Sequence, residues 1–139
     1  MQREITLTDQ PIDLRRPLPP ALVGTAGAVA EFQGLVRADE AGTAISALEY
    51  EAYAPMAERV IHRLCEELPA AGDCLFARIT HRIGVVPVGE AAIHIVVAAR
   101  HRAAAFAFLA AFMDRLKQEV PIWKVRALDS TGQPVPPRP

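Results

Sequence analysis

The spacing of apolar and polar residues changes several times along the chain, and each change marks an element. Residues 3–7 (REITL) and 27–37 (GAVAEFQGLVR) read as strands. The second is mostly apolar, and its glycines, Gly27 and Gly34, signal a bulge or a close backbone approach. Between these strands, Asp9–Pro20 holds four prolines and reads as an extended connection, because proline fixes φ and removes a donor. Residues 38–43 (ADEAGT) form a turn or loop. Over 44–53 (AISALEYEAY), Ile45, Ala47, Glu49 and Glu51 alternate with Ser46, Leu48, Tyr50 and Ala52, which predicts a strand with one mixed face. The period then becomes helical. Pro55 sits where its missing N–H does no harm, and Met56, Val60, Leu64 and Leu68 recur at helical spacing while Glu58, Arg59, Arg63, Glu66 and Glu67 cover other faces. Pro69 and Gly72 end this helix. Residues 74–83 and 91–99 predict two more strands joined by GVVPVGE, residues 102–119 a second helix stopped by Pro121, and residues 122–128 a last strand. The proline-rich tail, 133–139, is expected to carry no regular structure. The order β-β-β-α-β-β-α-β, with no repeated βαβ unit and no glycine-rich phosphate loop, predicts one α+β domain over 1–139 with a mainly antiparallel sheet and two principal helices.

Composition narrows the function classes. At 139 residues and 51% apolar, the chain can bury a core without a metal or disulfide staple. A formal net charge of −1 argues against a nucleic-acid module. The opening MQREITLTDQ lacks the pattern of a signal peptide and no apolar run approaches membrane-spanning length, so a cytoplasmic setting is the expectation. Cys65 and Cys74 have neither metal-site spacing nor a disulfide framework, and no metal or cofactor is expected.

Candidate chemistry is cationic. Thirteen of the basic residues are Arg and two are Lys, Lys117 and Lys124, which lie close together. Lysine can lose its proton when buried or crowded by positive charge, and arginine effectively cannot. Arg115 and Arg126 lie near both and are expected to crowd them. The ordinary alternatives are that Lys117 complements a helix C-terminus and that Lys124 is a plain strand lysine. Arg100-His101-Arg102 opens the second helix, where clustered cations are unfavourable unless an anion binds; a solvated basic turn is the alternative. Arg37 ends a strand before a loop, where it can face a ligand or serve as a surface ion-pair partner. His81 and His94 lie in apolar runs and read as packed side chains, and His62 as exposed. No Ser–His–Asp set and no carboxylate pair emerges.

Sixteen residues separate His101 from Lys117, roughly 24 Å at about 1.5 Å per residue of helix. One copy of the chain cannot bring both to a small ligand, whereas a two-fold pair that exchanges helix ends can. Phe106, Leu109, Met113 and Leu116 on one face, with Phe108 and Phe112 on another, predict a helix buried on both sides, which fits a dimer interface.

Taken together, GAVAEFQGLVR (27–37), LEYEAYAPMAE (48–58), HRIG (81–84), the His-Arg followed by Ala-Phe within 101–106, and FMDRLKQEVPIWK (112–124) resemble the large, catalytic subunit family of molybdopterin synthase. The resemblance implies an α/β hammerhead fold and a homodimer that binds two copies of a small ubiquitin-like sulfur-carrier subunit, giving a heterotetramer. It also implies sulfur transfer from the carrier's C-terminal Gly-Gly thiocarboxylate to cyclic pyranopterin monophosphate (precursor Z), two transfers making the dithiolene of molybdopterin for molybdenum cofactor biosynthesis. By motif position, Lys117 and Lys124 are the implied catalytic residues. Arg37, His101 and Arg102 are implied to bind the phosphorylated pterin, the His-Arg pair coming from the opposite subunit. The sequence departs from the family where an acid usually follows the second lysine by two residues (here Arg126, after Val125), at Ala107, and in the short proline-rich tail. The missing acid deprives Lys124 of a partner. The alternative reading is a non-catalytic dimer that binds a phosphorylated ligand or a ubiquitin-like tail.

Overall fold

In the computed structural model, which describes residues 1–136, the apolar runs pair into two sheets and a short ribbon. The elements are β1 (Gln2–Thr8), β2 (Ala28–Leu35), β3 (Asp39–Glu40), β4 (Thr43–Ala44), β5 (Ala47–Ala52), α1 (Ala54–Glu67), β6 (Cys74–Arg82), β7 (Gly84–Pro87), β8 (Ala91–Ala99), α2 (Arg102–Glu119) and β9 (Ile122–Leu128). One sheet has four strands in the order β1-β6-β8-β2, a second has three in the order β7-β5-β9, and β3 and β4 form a ribbon. The pairing is antiparallel except between β1 and β6, which run parallel. This is the expected α+β architecture with two principal helices.

Both helices pack on one face of the four-stranded sheet. Ile61, Leu64 and Cys65 of α1 and Ala105, Phe108, Phe112 and Leu116 of α2 meet Ala77, Ile79, Ile93, Ile95 and Val97 in a single buried cluster. The continuous apolar runs of β6 and β8 follow from this, since they are central strands covered on both sides. On the opposite face, Leu22, just past the proline-rich connection, covers Phe76 and Ala98. That connection is pinned by the buried Arg78, which bonds Glu4 at 2.8 Å and donates to the carbonyls of Arg16 and Pro17. A second cluster, Val36, Ile45, Leu48, Val86 and Ala92, joins the two sheets.

Four expectations are corrected. The buried stripe of α1 is Ala57, Ile61, Leu64 and Cys65, continued by Leu68 at its C-cap; Met56 is exposed and Val60 only partly covered, because the helix turns the neighbouring residues toward the sheet. The GVVPVGE segment contains β7, which pairs with β5 instead of merely linking β6 to β8. In α2, Leu116 joins Phe108 and Phe112 in the core instead of sharing the face of Phe106, which is 63% exposed in the single chain. The tail is partly ordered, with Pro134 bridging Leu128 and Val135 N donating to the Ala127 carbonyl, after a turn in which Asp129 accepts from Thr131 and Gln133. The rest of the proline-rich tail, 137–139, lies outside the described residues.

Gly27, just before β2, and Gly34 within it meet the close approaches expected of them. A Cβ on Gly27 would lie 2.3 Å from the Arg100 carbonyl oxygen, and one on Gly34 would lie 2.6 Å from Ile93 Cγ2. The register also shifts after Gly34, the predicted irregularity.

Candidate functional site

Residues of both sheets and of α2 enclose a cleft of about 340 Å³. Its apolar wall comes from Phe32 and Leu35 of β2, Ile93 of β8, Met113 of α2 and Ile122 of β9; its polar groups are Tyr50, His81, Lys117 and Lys124. The two lysines arrive by a local device. Lys117 occupies the last turn of α2, the backbone turns extended at Val120, and β9 starts at Ile122 beside the helix end it has just left. A bulge then aims Lys124. Arg126 pairs with Glu49 and Lys124 with Tyr50, so Val125 is the extra residue on β9.

Electrostatics at the cleft differ from the expected crowding of cations. Lys124 Nζ lies 3.1 Å from Glu40 Oε1 of β3, and Arg126 lies 3.0 Å from Glu49. Arg115 pairs with Glu119 and, at 3.6 Å, with Glu67, while Arg63 pairs with the same two carboxylates, so Arg115 belongs to a clasp between α1 and α2. The arginines flanking the lysines are therefore matched to acids of their own. The acid missing from β9 has a counterpart in Glu40, which reaches Lys124 from a different element. Lys117 makes no ion pair among the described residues. Burial raises the Tyr50 hydroxyl above its usual 10.0, with Lys124 opposing and Glu40 assisting. Burial likewise lowers His81 below its usual 6.5, against a hydrogen bond between Nδ1 and the Arg82 carbonyl at 2.8 Å.

The other predicted residues lie elsewhere in this chain. His101, the N-cap of α2, lines a depression of about 470 Å³ with Arg100, Asp73 and Cys74. Arg102 lines a small hollow beside Val29 and Phe106. Arg37 is exposed just past the end of β2, two residues beyond Leu35 of the cleft wall. Within one copy the structure brings Lys117 and Lys124 together and leaves His101 and Arg102 at the far end of α2, as the length of that helix requires.

Sequence reasoning passed over three groups of the site. Tyr50 stood in the alternating strand without a role. His81 is buried as expected, at 5% exposure, yet also borders the cleft. Glu40 lay in a segment read as a loop, and nothing in its neighbours signals that β3 will meet β9. Of the remaining histidines, His94 is buried against Glu31 at 2.6 Å and His62 is exposed, both as expected.

Comparison with known proteins gives concordant likenesses. A family model described as MoaE protein matches residues 7–119. The molybdopterin synthase catalytic subunit of Thermoplasma volcanium is 40% identical over 132 residues, covering 91% of this chain and 91% of that protein. The human molybdopterin synthase catalytic subunit is 41% identical over 98 residues, 70% of this chain, and the matched stretch spans only 52% of the human protein. The solved structure of molybdopterin synthase from Staphylococcus aureus superposes with a TM-score of 0.77 at 29% identity, covering 95% of this chain and 96% of that one.

Proposed function

This chain belongs to the MoaE protein family, and from that premise we propose that it is the catalytic subunit of a molybdopterin synthase. It takes sulfur from the C-terminal thiocarboxylate of a small ubiquitin-like carrier and places it on cyclic pyranopterin monophosphate. One observation carries the reading above others: the only two lysines in the sequence line the same cleft. The apolar wall of that cleft suits an extended tail ending in small residues, and its cations suit two acidic reactants, which must be neutralised before they meet.

Within this reading Lys117 is the acid/base, donating to the oxygen that departs as sulfur attacks. Lys124, steadied by Glu40, orients the acyl tail and balances developing negative charge. Arg37, His101 and Arg102 bind the phosphate and pterin, the His-Arg pair supplied by the second copy of a homodimer, since some 24 Å of helix separates the two ends. Carrier and dimer together make a heterotetramer. No helix among the described residues is long and apolar enough to cross a membrane; the cytoplasmic setting is part of the proposal and follows the sequence reading.

The test combines the chain with a thiocarboxylated carrier and cyclic pyranopterin monophosphate and follows the pterin by mass. A gain of two sulfurs is expected. Binding of both reactants without a change in mass would replace the sulfurtransferase with a non-catalytic binding dimer.

A further inference from the structure

We propose that His81 is the general base of the hydrolytic half of the reaction, taking a proton from the water that cuts the carrier free of the transferred sulfur. The proposal rests on the sulfurtransferase reading and deepens it. Once the thiocarboxylate sulfur has bonded to the substrate carbon, it remains bonded to the carbonyl carbon of the carrier. That acyl–sulfur bond must break before the sulfur is left behind. Water adds to the carbonyl carbon and forms the new C–O bond, and one of its protons passes to the base. The C–S bond then breaks with its electron pair going to sulfur, and the carboxylic acid so formed releases a second proton to solvent. Nothing is oxidised or reduced. The step needs an open lone pair beside the acyl carbon.

The cleft offers one side chain built for this. His81 stands next to the end of β6, and its Nδ1 lies 2.8 Å from the Arg82 carbonyl oxygen. A carbonyl can only accept, so Nδ1 carries the proton and the neutral ring leaves its lone pair on Nε2. The ring is fixed from the side by Tyr50, edge to face at 5.4 Å between centroids. Nε2 has no hydrogen-bond partner, yet it is not one of the enclosed, unpartnered nitrogens, which among the described residues are Arg82 Nε and His94 Nδ1. It is therefore not enclosed, and the cleft is a surface that His81 lines.

The surroundings keep the ring neutral and restrict its competitors. β1 and β8 set apolar Leu7 and Ile93 in register with His81, and β2 adds only Phe32, Gly34 and Leu35 to the cleft. The charged or titratable groups facing it are Tyr50 of β5, Lys117 of α2 and Lys124 of β9, with Glu40 of β3 behind Lys124. Tyr50 keeps its proton because burial raises it. The lysines serve the first step and the oxyanion, which leaves the imidazole to receive the proton.

The experiment follows single turnovers by rapid quench and mass spectrometry of the carrier, with the wild-type chain, His81→Asn and His81→Gln. His81→Asn keeps a short donor toward the Arg82 carbonyl and has no base. In both variants the carrier–pterin acyl adduct is expected to form at near wild-type rate and then accumulate, with its release slowed about 10²- to 10⁴-fold. Wild-type release is expected to fall in acid, with the fall displaced below the usual histidine value of 6.5 because burial lowers the ring, a limb that the variants lose, and added imidazole should restore part of their rate. Release at wild-type rate in a folded His81→Asn chain overturns the proposal. So does a wild-type release rate that does not change between acid and neutral pH, a measurement that needs no variant to fold. A wild type that moves no sulfur at all overturns the sulfurtransferase reading and this proposal with it, and is told apart by the absence of any adduct.

Discussion

Lys117 and Lys124 differ in what surrounds them, and the difference separates their proposed roles. Lys124 has a carboxylate at 3.1 Å, whereas Lys117 has no ion-pair partner among the described residues and stands at the cleft wall beside Met113 and Leu116. A group that must give and take a proton works best without a permanent ionic partner. Lys117→Ala is therefore expected to lower single-turnover sulfur transfer by about 10²-fold or more. Lys117→Arg should fail comparably, since arginine keeps the charge but does not release its proton. Full transfer by the arginine variant would reduce Lys117 to a fixed charge. A second residue-scale prediction concerns the other face of the large sheet. Glu31 accepts from Gln33 and from His94, and these bonds, that from Gln33 foremost, hold its carboxyl below the usual 4.5. A carboxyl depressed on folding stabilises the native state above its unfolded value, and that stabilisation is lost as pH falls through the folded value. Urea melts should show stability declining below about pH 4.5, and Glu31→Gln should flatten part of that decline.

At the scale of elements, the close approaches are where a single methyl group matters. The Gly27 N–H donates to the Ala99 carbonyl at 2.9 Å, and its missing side chain leaves room for the Arg100 carbonyl. This contact sets the start of β2 against the turn that leads into α2, and so fixes where Arg100, His101 and Arg102 emerge. Because the obstacle is backbone, Gly27→Ala is expected to destabilise the fold by about 1–3 kcal/mol, read as a lower urea midpoint with an unchanged slope. The two glycines were legible in the sequence because an interrupted apolar strand demands them. Helix α2 was legible to its ends for a similar reason: local signals, the Arg-His turn and Pro121, bound it on both sides. The buried stripe of α1 was not. Met56 and Ala57 both fit a helical period, and only the packed sheet decides which of them faces inward. Nor was β7, whose partner β5 lies over thirty residues away in sequence. The site divides along the same line. Lysine scarcity and the Pro-Ile-Trp segment between them announced Lys117 and Lys124, whereas Tyr50 and His81 reach the cleft, and Glu40 reaches Lys124, through pairings between distant segments that no local pattern encodes.

For the whole molecule, the geometry within one copy leaves His101 and Arg102 far from the lysine cleft, and the exposed face of α2 leaves Phe106 uncovered beside Val29 at the edge of the sheet. The proposed homodimer accounts for both, covering an apolar edge and carrying the His-Arg pair of one copy toward the lysines of the other. Such a shared site makes a prediction that no single-chain site can meet. Lys117→Ala and His101→Ala chains should each be inactive as pure dimers. In a mixed dimer, one of the two sites receives its lysine from the His101→Ala chain and its histidine from the Lys117→Ala chain, and so is intact. The other site lacks both. Random exchange makes about half of all dimers mixed, so the mixture should regain about a quarter of wild-type sulfur transfer. If each site were built from a single chain, mixing would restore nothing, whatever the dimers did, because every site would still lack one of its two groups. Sedimentation of the mixture, with one variant carrying a mass tag, checks that exchange has occurred, so an inactive mixture with confirmed exchange would rule out the shared site.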